Sequence, residues 1–213
     1  MIEKIVTAYR KMEMGLINGL SGASADVADE NHFYDVGYMQ TQISRIQREM
    51  KRISDEVKVG IDIKDDSDYG KQHRAELMEQ RERLLYRMVF LASNSFSNLD
   101  DCMEMSEGHS FAFMNCVKAL VEYHVGNHDK AFQSLEEYYR EHGSVEEHFL
   151  VNKVFGLLLS EKEKYQKAIP FLTYALQFMP DDLECLNELQ RCYKESGKSG
   201  KENTVSDILS LLA

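Results

Sequence analysis

The segment FGLLLSEKEKYQKAIPFLTYALQFMP, residues 155–180, decides the fold. Three small residues and a proline stand at defined offsets in it: Ala168 follows Gly156 by twelve residues, Ala175 follows Ala168 by seven, and Pro180 follows Ala175 by five. A small residue in one helix lets a second helix approach closely, and a proline stops the helix that precedes it. The spacing therefore predicts a helical hairpin in which Gly156 packs against Ala168.

The same intervals occur once more upstream, which indicates an internal repeat. Ala119 is followed at these three offsets by Ala131, Tyr138 and Gly143. Downstream, the apolar pattern of 183–195 predicts the first helix of a third unit. The predicted units are 112–145, 149–182 and 183–212, and the last has a shortened second helix at 203–212 that caps the array.

Segment 149–182 resembles a tetratricopeptide (TPR) repeat, and the resemblance covers the C-terminal half of the chain only. The positions that match the family are Gly156, Tyr165, Ala168, Leu172, Ala175 and Pro180. Asn152 and Leu159 depart from the family, because they stand at its tryptophan and tyrosine places in the first helix. Segment 112–145 is a weaker match, since Tyr138 and Gly143 replace the second small residue and the proline.

The resemblance implies a right-handed solenoid whose first helices line a groove for a peptide or helix. The groove positions that it assigns are Phe113, Cys116, Leu120, Tyr123, Lys153, Leu157, Asn187 and Arg191. The alternative is that the N-terminal helix of the chain fills the apolar part of this groove. The residues assigned to repeat packing are Ala119, Ala131, Gly156, Ala168, Ala175 and Pro180.

The N-terminal region carries heptad-patterned helices. Its clearest stripe, with steps of three and four, comprises Val36, Met39, Ile43, Ile46, Met50, Ile53 and Val57. A polar break at 60–70 separates it from a second stripe, which comprises Leu77, Leu84, Met88 and Leu91, thickened by Met78, Leu85 and Ala92. These patterns predict a coiled-coil-like antiparallel hairpin of two long helices, preceded by a helix at 2–16 and a loop at 21–31.

The predicted fold is all-α, with an N-terminal helical region at 1–95 and a TPR-like domain at 96–213. Only two prolines in 213 residues also favour helices over a turn-rich β fold. The helix that carries the stripe from Leu77 to Leu91 has a wider apolar surface than a two-helix contact requires. This predicts a homodimer through the N-terminal helices.

Charge and composition exclude several classes of partner. The formal net charge of −11 disfavours nucleic acid, and the basic stretch around Arg45, Arg48 and Arg52 is interpreted as a solvated helix face because Glu49 interrupts it. No apolar run approaches the length of a membrane span. The four cysteines fall in helical apolar patterns without a C-x-x-C motif, so we expect buried thiols in a reducing cytoplasm.

Motifs for chemistry are absent from the sequence. It contains no phosphate-binding loop, no dinucleotide fingerprint, no zinc-protease motif and no nucleophile elbow. His124 and His128 have the spacing of two metal ligands on one helix, but the predicted helix ends between them at Gly126-Asn127. We therefore expect no metal, no cofactor and no enzymatic activity.

Helix starts are predicted from capping boxes. The predicted pairs are Ser97 with Asp100, Ser144 with Glu147, and Asp181 with Glu184.

The predicted function is a non-enzymatic adaptor or scaffold that binds a protein or peptide in the TPR groove. One alternative is a secretion or assembly chaperone, to which the chain is similar in size, acidity and repeat number. Another is a helical regulatory or catalytic domain with an unrecognised site, which clustered carboxylate and histidine side chains in a pocket would favour.

Overall fold

The computed structural model describes residues 36–62, 67–143, 145 and 148–212. Within these ranges all regular secondary structure is helical, which confirms the predicted fold class. The helix predicted at 2–16 and the loop predicted at 21–31 lie outside the described residues. Among the helices described, none combines the length and the apolar character that crossing a bilayer requires.

Nine α-helices and one 3-10 turn follow each other in the described part of the chain. They are α1 (Val36–Asp62), α2 (Asp68–Ala92), the 3-10 turn (Phe96–Asn98), α3 (Leu99–Met105), α4 (Met114–His124), α5 (His128–His142), α6 (Phe149–Glu161), α7 (Tyr165–Phe178), α8 (Leu183–Glu195) and α9 (Ser199–Leu212). They divide into two compact units, 36–118 and 119–212, whose junction lies within α4. The sequence predicts the domain boundary earlier, after residue 95.

In the unit 36–118, α1 and α2 pack as an antiparallel pair. His73 Nε2 lies 3.1 Å from Glu56 Oε1, and Arg81 Nε donates to Ser54 Oγ at 3.2 Å, so higher numbers on α2 meet lower numbers on α1. The heptad stripe of α1 contributes Ile46 and Ile53 to the core. The helix continues through Gly60, so the polar break predicted from residue 60 begins later than the sequence indicates.

The second stripe is buried along a line that combines two members of the predicted stripe, Leu77 and Met88, with Leu85 from the adjacent line. Leu77, Leu85 and Met88 are buried, whereas Leu84 is half-buried and Met78 is 48% exposed. Packing against α1 therefore selects one side of the wide apolar surface.

The start of α3 corrects one predicted cap. Asn98 precedes the helix and Ser97 lies within the 3-10 turn, so Ser97 with Asp100 does not form the capping box. By contrast, Ser67 caps α2 directly, because its Oγ accepts a hydrogen bond from the Gly70 amide at 3.0 Å.

In the unit 119–212, the helices of the last two hairpins recur with one interval. α6 begins at residue 149 and α8 at residue 183, 34 residues later; α7 begins at residue 165 and α9 at residue 199, again 34 residues later. α6 packs on α7, α7 on α8 and α8 on α9. The side chain of Ser160 on α6 contacts both Glu188 and Cys192 on α8, so equivalent helices of successive hairpins also touch.

Gly156 and Leu172 are close-packed within the central hairpin. A Cβ atom on Gly156 would lie 2.8 Å from Leu172 Cγ and 3.1 Å from its backbone nitrogen. Leu172 therefore packs tightly against Gly156, and the predicted contact between Gly156 and Ala168 stays a prediction. The six residues assigned to repeat packing are all buried: Ala119, Ala131, Gly156, Ala168, Ala175 and Pro180.

The helix ends are predicted better than the helix starts. Gly126 and Gly143 follow α4 and α5 with φ of +87° and +79°, which glycine adopts without strain. The predicted cap of α8 is wrong, because its N-cap residue is Asp182 and not Asp181. Ser144 and Glu147, predicted to cap α6, lie outside the described residues, and the N-cap residue of α6 is His148. The acceptors at these two N-caps are the His148 Nδ1 atom, for the Val151 amide, and the Asp182 carboxylate, for the Cys185 amide.

The end of the chain also differs from the prediction. α9 begins at Ser199 rather than at residue 203, and it is as long as α7, with 14 residues each. The second helix of the third unit is therefore not shortened.

Asn152 has a structural role that explains one departure from the repeat pattern. It is 1% exposed, and its Nδ2 donates to the carbonyl oxygens of Val145 and His148, each at 2.7 Å. Its Oδ1 lies 3.4 Å from the hydroxyl of Tyr139. An amide side chain here satisfies carbonyl groups of the connection before α6, which an indole could not do because it has a single donor.

Candidate peptide-binding face

One polar surface of the unit 119–212 is built from α4, α6 and α8, the first helices of the three predicted hairpins. We call it the first-helix face, and it comprises Tyr123, Lys153, Glu161, Glu184, Asn187 and Arg191. Lys153 contacts Glu184 directly, and the carboxylates of Glu184 and Glu161 act electrostatically on the hydroxyl of Tyr123. Three helices that are not consecutive in sequence therefore contribute to the same surface.

Lys153 is held at the centre of this face by two carboxylates. Its Nζ lies 2.8 Å from Asp182 Oδ2 and 2.8 Å from Glu184 Oε2, and its side chain is 12% exposed. Burial alone would lower the pKa of Lys153, but the hydrogen bonds to Asp182 and Glu184 outweigh burial and raise it. The ammonium group is therefore charged, and Asp182 serves both as the cap of α8 and as a partner of α6.

The rings of Tyr123 and His128 form a stacked pair on the same face as Lys153. Their rings stack with centroids 4.6 Å apart, and His128 Nδ1 lies 3.0 Å from Glu161 Oε2. Burial, followed by the nearby charges of Glu184 and Glu161, raises the pKa of Tyr123 to about 12. The tyrosine therefore stays protonated at neutral pH.

The α8 end of the face is exposed and charged. Arg191 Nη1 pairs with Glu188 Oε1 at 3.0 Å, and its guanidinium carbon lies 5.6 Å from the centroid of the Tyr165 ring. Asn187 Nδ2 donates to the carbonyl of Leu183 within the same helix at 2.7 Å. These two side chains point outward from α8, and both are exposed.

Four of the predicted groove residues are buried. Phe113, Cys116 and Leu120 are at most 2% exposed, and Leu157 is 7% exposed. Phe113 packs with its ring 5.0 Å from that of Phe90. These four side chains form packed interior, and the members of the predicted set that keep exposed surface are Tyr123, Lys153, Asn187 and Arg191.

The described residues hold no group of three histidine, cysteine or carboxylate side chains that could bind a metal ion. His124 ends α4 and His128 begins α5, so the two histidines do not share a helix. All four cysteines are free and buried, as the sequence predicts. Burial raises the pKa of each thiol, that of Cys102 to about 12, which disfavours the reactive thiolate.

Two features of the face were missed by reasoning from the sequence. The lysine–dicarboxylate cluster was not predicted, because Asp182 was not recognised as the cap of α8. The pairing of Tyr123 with His128 crosses the α4–α5 connection, although the place of His128 at an aromatic packing position of the repeat was a usable signal.

The comparisons with known proteins are sparse. No protein-family model matches the chain, and no curated protein matches it. A solved structure of a MamA mutant is similar, with 16% sequence identity, coverage of 84% of this chain and 96% of that chain, and a TM-score of 0.41.

Proposed function

We propose that this chain is a non-enzymatic scaffold that binds a protein or peptide on the first-helix face of a TPR-like array. The observation that carries the proposal is the 34-residue interval between α6 and α8 and between α7 and α9, the period of TPR repeats. In such arrays the first helices of successive hairpins form an extended recognition surface. In this chain, side chains from α4, α6 and α8 interact on one face.

The chemistry of this face supports recognition rather than catalysis. Lys153 pairs with two carboxylates, Arg191 pairs with Glu188, and the His128 ring lies within hydrogen-bond distance of Glu161. An enzyme site requires a nucleophile or base with an altered pKa at an accessible position, whereas the groups here are paired and the thiols are buried. A peptide would exchange hydrogen bonds with exposed members of this face, such as Asn187 and Arg191.

The test is affinity capture with quantitative mass spectrometry on two charge-matched variants. Asn187→Glu with Arg191→Glu changes two exposed positions of the first-helix face. Gln166→Glu with Lys167→Glu makes the same change in charge at two exposed positions of α7, the second helix of its hairpin. Both pairs lie on helix surfaces, so both variants keep the thermal stability of the wild type.

The expected result is one or more proteins that the wild type and the α7 variant retain and that the α8 variant loses. The captured protein is then purified and its affinity for the three chains is measured. Equal binding to all three chains would show that the first-helix face is not the binding surface.

We also propose that the chain forms a homodimer through its N-terminal region, 1–95. Four members of the α1 stripe, Met39, Ile43, Met50 and Val57, are half-buried within the chain. They leave apolar surface that a second copy would cover. Ile46, in contrast, is 6% exposed and belongs to the intramolecular core.

Sedimentation equilibrium tests the dimer with Ile43→Glu and the charge-matched Gln47→Glu, which lies at an exposed position of the same helix. We expect the wild type and Gln47→Glu to sediment with the mass of two chains and Ile43→Glu with the mass of one. A single-chain mass for the wild type at micromolar concentration would overturn the dimer.

A further inference from the structure

The antiparallel register of α1 and α2 gathers four arginines around one recess. Arg45, Arg48 and Arg52 lie along one side of α1, and Arg87 joins them from α2. The recess has a volume of about 860 Å³, and it also contains Glu49. The sequence predicts a solvated face for the α1 arginines, and nothing in the pattern of α1 indicates that a fourth guanidinium faces them.

The floor of this recess is apolar. Ile46, from α1, is 6% exposed, and Leu84, from α2, is half-buried. Charged groups beside an apolar surface are less well screened than groups surrounded by water. An anion that enters the recess therefore experiences a stronger attraction than it would at an open helix surface.

The positive charge of the recess is not balanced by the carboxylates near it. Arg52 takes both of them: its guanidinium lies 2.7 Å from Glu49 Oε1 and 2.8 Å from Glu56 Oε2. Within residues 36–62, 67–143, 145 and 148–212, Arg45, Arg48 and Arg87 form no ion pair with a carboxylate.

Arg48 has one hydrogen bond, from its Nε to the carbonyl of Ser44 at 3.3 Å, which leaves its two terminal nitrogens without an acceptor in the described part of the chain. Three guanidinium groups around one recess repel each other, so an anion that bridges them relieves this repulsion. A planar guanidinium binds phosphate oxygens through two parallel hydrogen bonds, whereas an ammonium group acts as a point charge.

We propose that this recess binds a compact small molecule that carries several phosphate groups. The volume lies within the range of small-molecule sites. A long polyanion such as nucleic acid is disfavoured, because the positive charge is confined to the recess and the chain as a whole carries a formal charge of −11. The apolar floor would contact the organic body of the ligand, and Arg45, Arg48 and Arg87 its phosphates.

Isothermal titration calorimetry of the full chain, at about 0.15 M salt to suppress nonspecific attraction, tests the proposal. The probes are inositol hexakisphosphate, inorganic triphosphate and a single-stranded DNA oligonucleotide. The variant Arg45→Gln with Arg87→Gln removes two unpaired charges of the recess. Lys51→Gln with Lys58→Gln is the matched control, because it removes two exposed charges of α1 that do not line the recess.

We expect one inositol hexakisphosphate per chain for the wild type, a Kd at least about tenfold weaker for the arginine variant, and a Kd within about twofold of the wild type for the lysine control. Triphosphate should bind more weakly than inositol hexakisphosphate, since it carries no organic body for the apolar floor. The variant Arg45→Lys with Arg87→Lys should show an intermediate Kd, because it keeps the charge and loses the paired hydrogen bonds.

Three results would overturn the proposal: no binding of either phosphate probe, equal weakening in the lysine control, or tighter binding of the oligonucleotide than of inositol hexakisphosphate. Thermal melting is measured for each variant. A melting midpoint equal to that of the wild type shows that a loss of binding reflects the recess and not unfolding.

Discussion

Helices α1 and α6 show two different ways in which a helix is held in this chain. Every residue of α6 from 149 to 160 is buried except Lys153, which is itself ion-paired. Among the described residues of α1, only Ile46 and Ile53 are buried. A helix that is apolar on all sides is covered by several neighbours, whereas a helix with one apolar stripe is covered mainly along one face.

This difference in burial indicates how sensitive each region is to substitution and which region presents charged groups. The α6 hairpin is close-packed around Gly156, so changes of one methyl group are felt there. The α1–α2 hairpin leaves most of its surface to charged side chains, so it tolerates substitution and presents ionic groups such as the four recess arginines. We expect the two regions to respond to equivalent mutations with different magnitudes.

The largest effect is expected from truncating a core leucine of α6. Leu158 is 0% exposed, so Leu158→Ala should lower the free energy of unfolding by about 2–5 kcal/mol. Ile43→Ala on α1 should cost about 1 kcal/mol, because Ile43 is half-buried and loses fewer contacts. Urea denaturation followed by circular dichroism measures both, and equal costs would remove the distinction between the two helices.

The second comparison uses the same substitution in both helices. Gly156→Ala should destabilise by about 1–3 kcal/mol, since the new Cβ would lie 2.8 Å from Leu172. Gly60→Ala should stabilise by about 0.5–1 kcal/mol, because its Cβ meets only the flexible Arg74 side chain at 3.4 Å and alanine favours the helix. Opposite signs in thermal melting are expected, and a stabilising Gly156→Ala would contradict the close packing of α6 on α7.

A third comparison concerns polar side chains. Asn152→Ala should cost about 1–2 kcal/mol, because the carbonyls of Val145 and His148 each lose the side-chain hydrogen bond and keep only a backbone donor. Ser54→Ala on α1 should change stability by less than about 0.5 kcal/mol, since its contact with Arg81 is exposed and water replaces it. If Asn152→Ala were neutral in chemical denaturation, the account of its place in the repeat would fail.

The smallest effect is a difference in thiol accessibility between the two units. All four thiols are buried with raised pKa values, so at pH 8 the native protein should react far more slowly with a thiol reagent than the unfolded chain. Cys102 and Cys116 should be labelled before Cys185 and Cys192, because the less densely buried unit opens at a lower free energy. Time-resolved mass spectrometry measures the order, and the reverse order would contradict this ranking of the two units.

The sequence by itself determined where the helices are and which of them form hairpins. Apolar residues at steps of three and four predict the long helix of 36–57, and glycines at 126 and 143 predict the ends of α4 and α5; both predictions are confirmed. These features are local, because helical period and left-handed glycine conformations depend on a few neighbouring residues. The small residues repeat at an offset of 37 residues between the first two units, whereas the 34-residue interval of the last two hairpins is visible only in where their helices begin.

The tertiary structure decided which side chains each surface brings together. Packing on α1 buried Leu85 in preference to Leu84, and the approach of α7 brought Leu172 close against Gly156. It also paired Lys153 with Asp182 and set Arg87 beside the arginines of α1. The period of one helix fixes only its own face. The register and rotation between helices follow from the simultaneous packing of many side chains, so residues distant in sequence met in ways that no single helical pattern contains.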